Sequence, residues 1–316
     1  MSRRRPSRWH GLLPVHKKTG PTSHDIVDIA RRSLKERRIG HTGTLDPMAE
    51  GLLLLCVGRA TRLQQYLLKW DKAYRGRVRL GWATDTYDAE GERVGDTIQP
   101  DTISPEGFSE LEGRFSGHFD QVPPKYSAKK VGGKKAYELA RTGQDVKIDP
   151  KPVHVHSLHL HQEDTDNLVV EVETESGFYV RSLAHDIGQE LGWGAHLRRL
   201  ERTRIGPFRV EEAISQEDLE KAADPETIIE GPHWIPLSKI PLPFASVDIN
   251  PTAASRFMHG QEIVVLRSGT EVLEPNGPIA VRSGDELLGI GEVTCIVARG
   301  RTITIRPSLV LAEQGA

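Results

Sequence analysis

The sequence predicts an α+β protein in two parts, on three observations. Segments with apolar residues at helical spacing (Ile26, Val27, Ala30 and Leu34; Leu183, Ile187 and Leu191) alternate with runs of strand length at 52–57, 72–80 and 168–172. A proline-rich stretch, residues 232–243, reads as a linker. Beyond it, short alternating runs at 262–266, 278–281, 287–293 and 302–307, with glycines at the turns, read as a small all-β domain. The expected domains are residues 1–240 and 245–316.

Bulk composition narrows the class. The chain has 316 residues, 37% hydrophobic and 27% charged, ordinary for a globular protein with ample core. No apolar run is long enough to span a membrane. The basic first ten residues precede no apolar stretch, so no secretory signal is expected. Cys56 and Cys295 lie far apart, and Cys56 sits in an apolar run, which suits a small buried hydrophobe. A cytoplasmic protein with no membrane partner follows. Net charge is −2, yet residues 1–80 carry 18 Lys/Arg against 6 Asp/Glu, and residues 211–316 carry 8 against 16. A basic first quarter in a near-neutral chain predicts one positive face for an acidic partner.

Residues 17–23 form a turn in which Ser23 is expected to cap the helix carrying Ile26 to Leu34. Its polar side holds Arg31, Arg32, Lys35, Arg37 and Arg38, a phosphate-facing or simply solvated surface. Residues 40–51, Gly-His-Thr-Gly-Thr-Leu-Asp-Pro-Met-Ala-Glu-Gly, are a shaped loop. Asp46 precedes Pro47, which pushes its backbone towards the extended region. The apolar run behind the loop is a buried strand. Asp46 is therefore either a preorganised reactive carboxylate or the head of an Asp-Pro turn.

A helix is expected over 59–68. In the strand over 72–80, Tyr74 shares the inward face with Gly76, Val78 and Leu80. Residues 84–91, rich in Asp and Thr, read mainly as a solvated acidic turn, although they could orient a basic catalytic group. A helix follows Pro105. From 122 to 147, seven Lys/Arg and two Asp/Glu are interleaved with Tyr126 and Tyr137. That suits a surface that tracks a phosphate backbone and stacks bases. A short helix within it ends at Gly143. Four histidines, 154, 156, 159 and 161, fall on the polar face of a strand whose phase slips once, as at a bulge. No metal site is expected there, because no cysteine or nearby acidic pattern supports one. Arg181 stands at the junction of a strand and the helix that ends at Gly192.

Several of these stretches together resemble the TruB family of tRNA pseudouridine synthases. The loop matches that family's G-H-T-G-x-L-D-P. Lys17 to Ser23 matches K-x-x-G-x-T-S, residues 72–75 match K-x-Y-R, and residues 84–91 match T-D-T-x-D-x-x-G. Residues 177–183 match G-x-Y-[IV]-R-[ST]-L. Residues 194–208 match the segment ending in R-T-R-x-G-P-F, with Glu201 standing where an arginine is usual.

The resemblance implies a pseudouridine synthase fold: a mixed, largely antiparallel central sheet with the catalytic loop in a cleft. It also implies a thumb-like insertion at about 122–150 and a small C-terminal PUA-like β-barrel. The implied reaction turns uridine 55 of the tRNA T-loop into pseudouridine, with a tRNA-folding role beside it. The implied catalytic residues are Asp46, Tyr74, Arg181 and Tyr179. His41, Lys17, Lys18, Arg59, Arg62, Lys125, Tyr126, Lys129, Lys130, Lys134, Lys135 and Leu200 are the implied substrate contacts. No cofactor and no metal are implied. The partner is the T-arm of tRNA, without a guide RNA, and a monomer is expected. Other readings are an RNA-binding module or guide-dependent relative of the same fold, and a nucleosidase or glycosidase using Asp46. The last needs a second carboxylate, for which Asp85 and Asp88 are the nearest.

Overall fold

The computed structural model describes residues 6–125, 148–266, 273–297 and 301–311 in full, and the backbone of 130–131 and 134–135. Tyr126, Lys129 and the helix expected before Gly143 lie outside the described residues, as do the side chains of Lys130, Lys134 and Lys135. The backbone at 130–131 pairs antiparallel with 134–135.

The main sheet contains β1 (Gly11–Lys17), β2 (Ile39–His41), β3 (Glu50–Val57), β4 (Lys72–Leu80), β5 (Gly117–Gln121), β6 (Lys151–Asp164), β7 (Asn167–Thr174), β8 (Ala195–Ile205) and β9 (Ile214–Ser215). Their order is β9-β1-β3-β8-β4-β7-β6-β5, with β2 also against β3. The β1–β9 and β3–β8 pairs are parallel; the other pairs among these strands are antiparallel. The sheet is mixed and largely antiparallel, as expected.

Both faces of this sheet are covered near β3, which explains its unbroken apolar run. Leu53 and Leu55 pack with Ile26, Val27 and Ala30 of α1 (Ser23–Ser33). Leu52 and Leu54 face the opposite way, into a cluster shared with the C-terminal sheet. Further along, Val78, Leu80, Leu168, Val170 and Val172 meet Leu111 of α2 (Pro105–Arg114) and Leu183 and Ile187 of α3 (Val180–Glu190). The expected bulge in β6 lies between Val155 and Ser157. It keeps Val155, Leu158 and Leu160 on the core side and the histidines on the other.

Gly51, the second residue of β3, has φ +103°, and a Cβ there would stand 2.4 Å from the Arg202 carbonyl oxygen and 2.7 Å from its amide nitrogen. Only glycine fits this crossing of β3 with β8. Gly51→Ala is expected to destabilise the chain by about 1–3 kcal/mol from backbone conformation alone, with displacement of the β8 backbone in addition. A thermal melt unchanged from the native chain would refute this.

The C-terminal unit holds β10 (Ser246–Asp248), α4 (Pro251–Met258), β11 (Ile263–Leu266), β12 (Pro278–Ser283), β13 (Glu286–Val297) and β14 (Thr302–Val310). The order β10-β12-β13-β14-β11 leaves a half-barrel, wrapped around Phe257 of α4. Helix α4 corrects the all-β expectation. Its start was written in the sequence: Asn250 accepts from the Ala253 amide at 2.9 Å, and Pro251 occupies the first turn. The half-barrel does not hang free. Ala280, Leu287, Ile290 and Leu309 pack on Leu12, Leu54 and Ile205 through Ile240 of the linker.

Candidate active site

Asp46 lies on the loop between β2 and β3, its side chain 36% exposed. Three buried polar side chains fix that loop from below. The Arg202 guanidinium, on β8 and 1% exposed, donates to the carbonyls of Gly43 (3.2 Å), Thr44 (3.3 Å) and Leu52 (2.7 Å). The Lys17 ammonium, at the end of β1 and wholly buried, donates to the carbonyls of Lys18 (2.9 Å), Pro47 (3.4 Å) and Ala49 (2.7 Å). Ser23 exchanges hydrogen bonds with Leu45, accepting from its amide at 2.8 Å and donating to its carbonyl at 3.0 Å. The carbonyls that a loop so rich in glycine cannot pair within itself are thereby satisfied.

Two expectations change here. Ser23 is not the helix cap: Thr22 is, in a capping box with Asp25, which frees the Ser23 hydroxyl for the loop. Lys17 is not a substrate contact, since it is spent on the loop's carbonyls and has no exposed surface.

Above the loop, Arg181 in the first turn of α3 bridges two carboxylates. Its Nε is 3.0 Å from Asp46 Oδ2, and its NH1 is 3.1 Å from Asp88 Oδ2 and 3.3 Å from the Thr86 carbonyl oxygen. Asp88 is 4% exposed. Its other oxygen accepts from the Thr86 hydroxyl at 2.6 Å and the Glu90 amide at 3.1 Å. The acidic turn is thus not mainly a solvated loop: it buries one carboxylate to hold the arginine that faces Asp46. Tyr74 projects from β4 on the core side, half-buried. Tyr179 sits just before α3, and the Gln121 side chain accepts from its amide at 2.8 Å and donates to its carbonyl at 3.1 Å.

His41, half-buried on β2, has its pKa lowered, chiefly by burial and then by the Arg202 charge. Lys72 donates to the Trp70 carbonyl at 2.6 Å, and burial pushes its pKa down to about 8. Burial likewise brings Lys17 to about 8 from 10.5, against the opposing pull of Asp46. The folded-state value lies below the unfolded one, so the unfolded chain holds more protons between about pH 8 and pH 10.5, and stability rises with pH across that window. The native chain is expected to gain stability relative to Lys17→Met from pH 8 to pH 10, measured by urea unfolding. Parallel curves for the two chains would contradict it.

Other expected contacts are placed elsewhere. Leu200 is 7% exposed and packs in the core beside Val78 and Leu183. Arg59 donates to the Leu311 carbonyl at 3.2 Å and Arg62 to that of Val310, so both reach the end of β14. Leu200 is thereby corrected from a substrate contact to a core residue, while Arg62 keeps exposed surface beside its contact with the Val310 carbonyl. Lys18 is exposed beside Glu217, and Lys125 is exposed a few residues past β5. Cys56 is fully buried, its thiol pushed up to about 12 by burial.

Comparison with known proteins identifies the family. The family model described as TruB family pseudouridylate synthase (N terminal domain) matches residues 31–180. That of the tRNA pseudouridylate synthase B C-terminal domain matches residues 181–237. The chain is 38% identical over 283 residues to tRNA pseudouridine synthase B of Solibacter usitatus, covering 90% of this chain and 95% of that one. It is 37% identical over 315 residues to the protein of that name from Azoarcus sp., covering 99% of each. With the Aquifex aeolicus protein it shares 36% over 288 residues, covering 90% and 95%. Among solved structures, an H/ACA RNP bound to a substrate RNA containing 2′-deoxyuridine contains a chain similar at TM-score 0.73 and 23% identity, covering 96% of this chain and 86% of that one. A Cbf5-Nop10-Gar1 complex gives 0.73 and 25%, covering 96% and 85%. On sequence over nearly its whole length, the chain belongs to the TruB family of pseudouridine synthases.

Proposed function

We propose that the chain is a stand-alone tRNA pseudouridine synthase that isomerises a uridine of the T-loop, with residues 1–240 catalytic and 245–316 an accessory RNA-binding unit. The observation that carries the reading is Asp46, held from below by Lys17, Arg202 and Ser23 and faced by Arg181. A carboxylate fixed before substrate arrives is what this chemistry needs. In the reaction the bond from C1′ to N1 breaks, the uracil turns, and C1′ bonds to C5. The C5 proton leaves and N1 gains a proton, so no redox partner enters the balance.

A base within a folded loop has to leave its stack first, and a ring on Tyr74's side of β4 offers the stacking surface. Asp46 then acts either by attack on the uracil or sugar, or as base at the sugar while the glycosidic bond breaks. Arg181 aims it, Asp88 holds Arg181, and Tyr179 closes the pocket near C5. His41 fills the space the flipped base leaves. The exposed cations of the first quarter, with Lys18 and Lys125, hold phosphates and make binding salt-sensitive.

The test is tritium release from a T-arm RNA carrying C5-tritiated uridine, with no cofactor or guide added. Multiple turnovers of release, lost when the T-loop uridine is replaced by cytidine, are expected. Tight binding without release would sink the stand-alone enzyme and leave an RNA-binding module.

A further inference from the structure

The face of the main sheet turned away from Tyr74 carries a cluster that this chemistry leaves unused. β6 presents His154 and His156 on that face, two residues apart. His118 of β5 pairs with His154 across the strands, and their rings stack at 3.9 Å. The His154 and His156 rings meet edge-on at 4.5 Å. Glu175, just past β7, donates its amide to the His154 carbonyl at 3.0 Å and places Oε1 3.0 Å from His154 Nδ1. Asp71, just before β4, puts Oδ2 3.2 Å from His156 Nε2. One ligand atom from each of His154, His156 and Glu175 falls within 4.8 Å of the other two.

The geometry points to a divalent transition-metal site, for zinc or a similarly borderline ion, formed by His154, His156 and Glu175. Two imidazoles and one carboxylate are a donor set that suits such an ion, with solvent completing the shell. Ligands at about 2.1 Å around a tetrahedral ion stand roughly 3.4 Å apart, and these ligand atoms already lie within 4.8 Å of one another. Asp71 fits the outer partner that a ligating histidine usually has. Its carboxylate accepts from Nε2–H and turns the other ring nitrogen, Nδ1, towards the ion. The stacked His118 ring limits the rotation of His154.

The site lies across the sheet from Asp46 and takes no part in isomerisation. It ties β6 to β7 directly and to the start of β4 through Asp71, at the edge from which residues 122–150 leave and return.

The full chain, stripped with a chelator, would be titrated with zinc against a chromogenic chelator and with cobalt by visible absorption. Uptake of about one ion per chain with a tetrahedral cobalt spectrum is expected. His154→Ala and His156→Gln each remove both signals. Asp71→Asn weakens zinc binding about 10–100-fold. His159→Ala, on the same face beyond the bulge, leaves it unchanged. Neither ligand histidine is a core residue, and circular dichroism of each variant verifies its fold. Absence of stoichiometric uptake, or equal uptake by the native and His156→Gln chains, would overturn the site.

Discussion

Asp46→Asn is expected to stop tritium release while leaving the fold and RNA binding in place. The amide keeps the shape of the side chain and removes its charge and its capacity to attack or take a proton. Loss of a group of that kind costs on the order of 10⁴-fold or more in turnover. The loop is not expected to collapse, because Lys17, Arg202 and Ser23 hold its backbone and none of them bonds the Asp46 side chain. The partly exposed contact with Arg181 contributes about 1 kcal/mol or less to stability. The melting temperature should therefore move little, and T-arm RNA should bind with near-native affinity. Residual release within tenfold of the native rate would remove Asp46 from the chemistry. A large loss of binding alongside a normal melt would make it a contact residue instead.

Much of this site was legible because its parts lie close together in the chain or carry a strong local pattern. The loop at 40–51 announces itself through glycine and proline, and strand 72–80 alternates cleanly enough to point Tyr74 inward. What stayed hidden depended on distant crossings. β8 is a central strand, yet its charges and two register shifts, at Leu197/Arg199 and Arg202/Arg204, erase any period-two pattern. Nothing local therefore marks Arg202, which supports the loop from that strand, as buried.

β1 was obscured by Pro14, which a central strand should not contain. It is tolerated because one neighbour stops at Leu12 and the other begins at Val15, leaving no ladder partner for the missing amide on that side. Asp88 read as solvated because local composition cannot say that an arginine 93 residues later will need a buried counter-charge. The histidine cluster has no acidic pattern close by in the sequence. Glu175, just past β7, and Asp71, just before β4, meet it only in the fold.

The buried half of the arginine bridge gives the second large effect. Arg181→Met would leave Asp88 with no counter-charge at 4% exposure, at a cost of about 3–5 kcal/mol, so lost activity in that variant would be confounded by unfolding. Arg181→Lys is the informative change. Lysine keeps the positive charge that Asp88 requires, and most of the stability should survive. It cannot keep the geometry, since Arg181 uses Nε for Asp46 and a different nitrogen for Asp88, and one ammonium at the end of a flexible stem cannot serve both. Pulled towards the buried Asp88, it releases Asp46 from its aim, and misplacement on the scale of an ångström costs about 10²-fold in kcat. KM should change little, because the cations proposed to hold phosphates lie elsewhere. Asp88→Asn is expected to act in the same direction by loosening Arg181. If the three residues work as one device, the Arg181→Lys, Asp88→Asn double variant loses less than the product of the single losses. Strictly multiplicative losses would mean that Asp88 supports the fold but does not position Arg181 for catalysis.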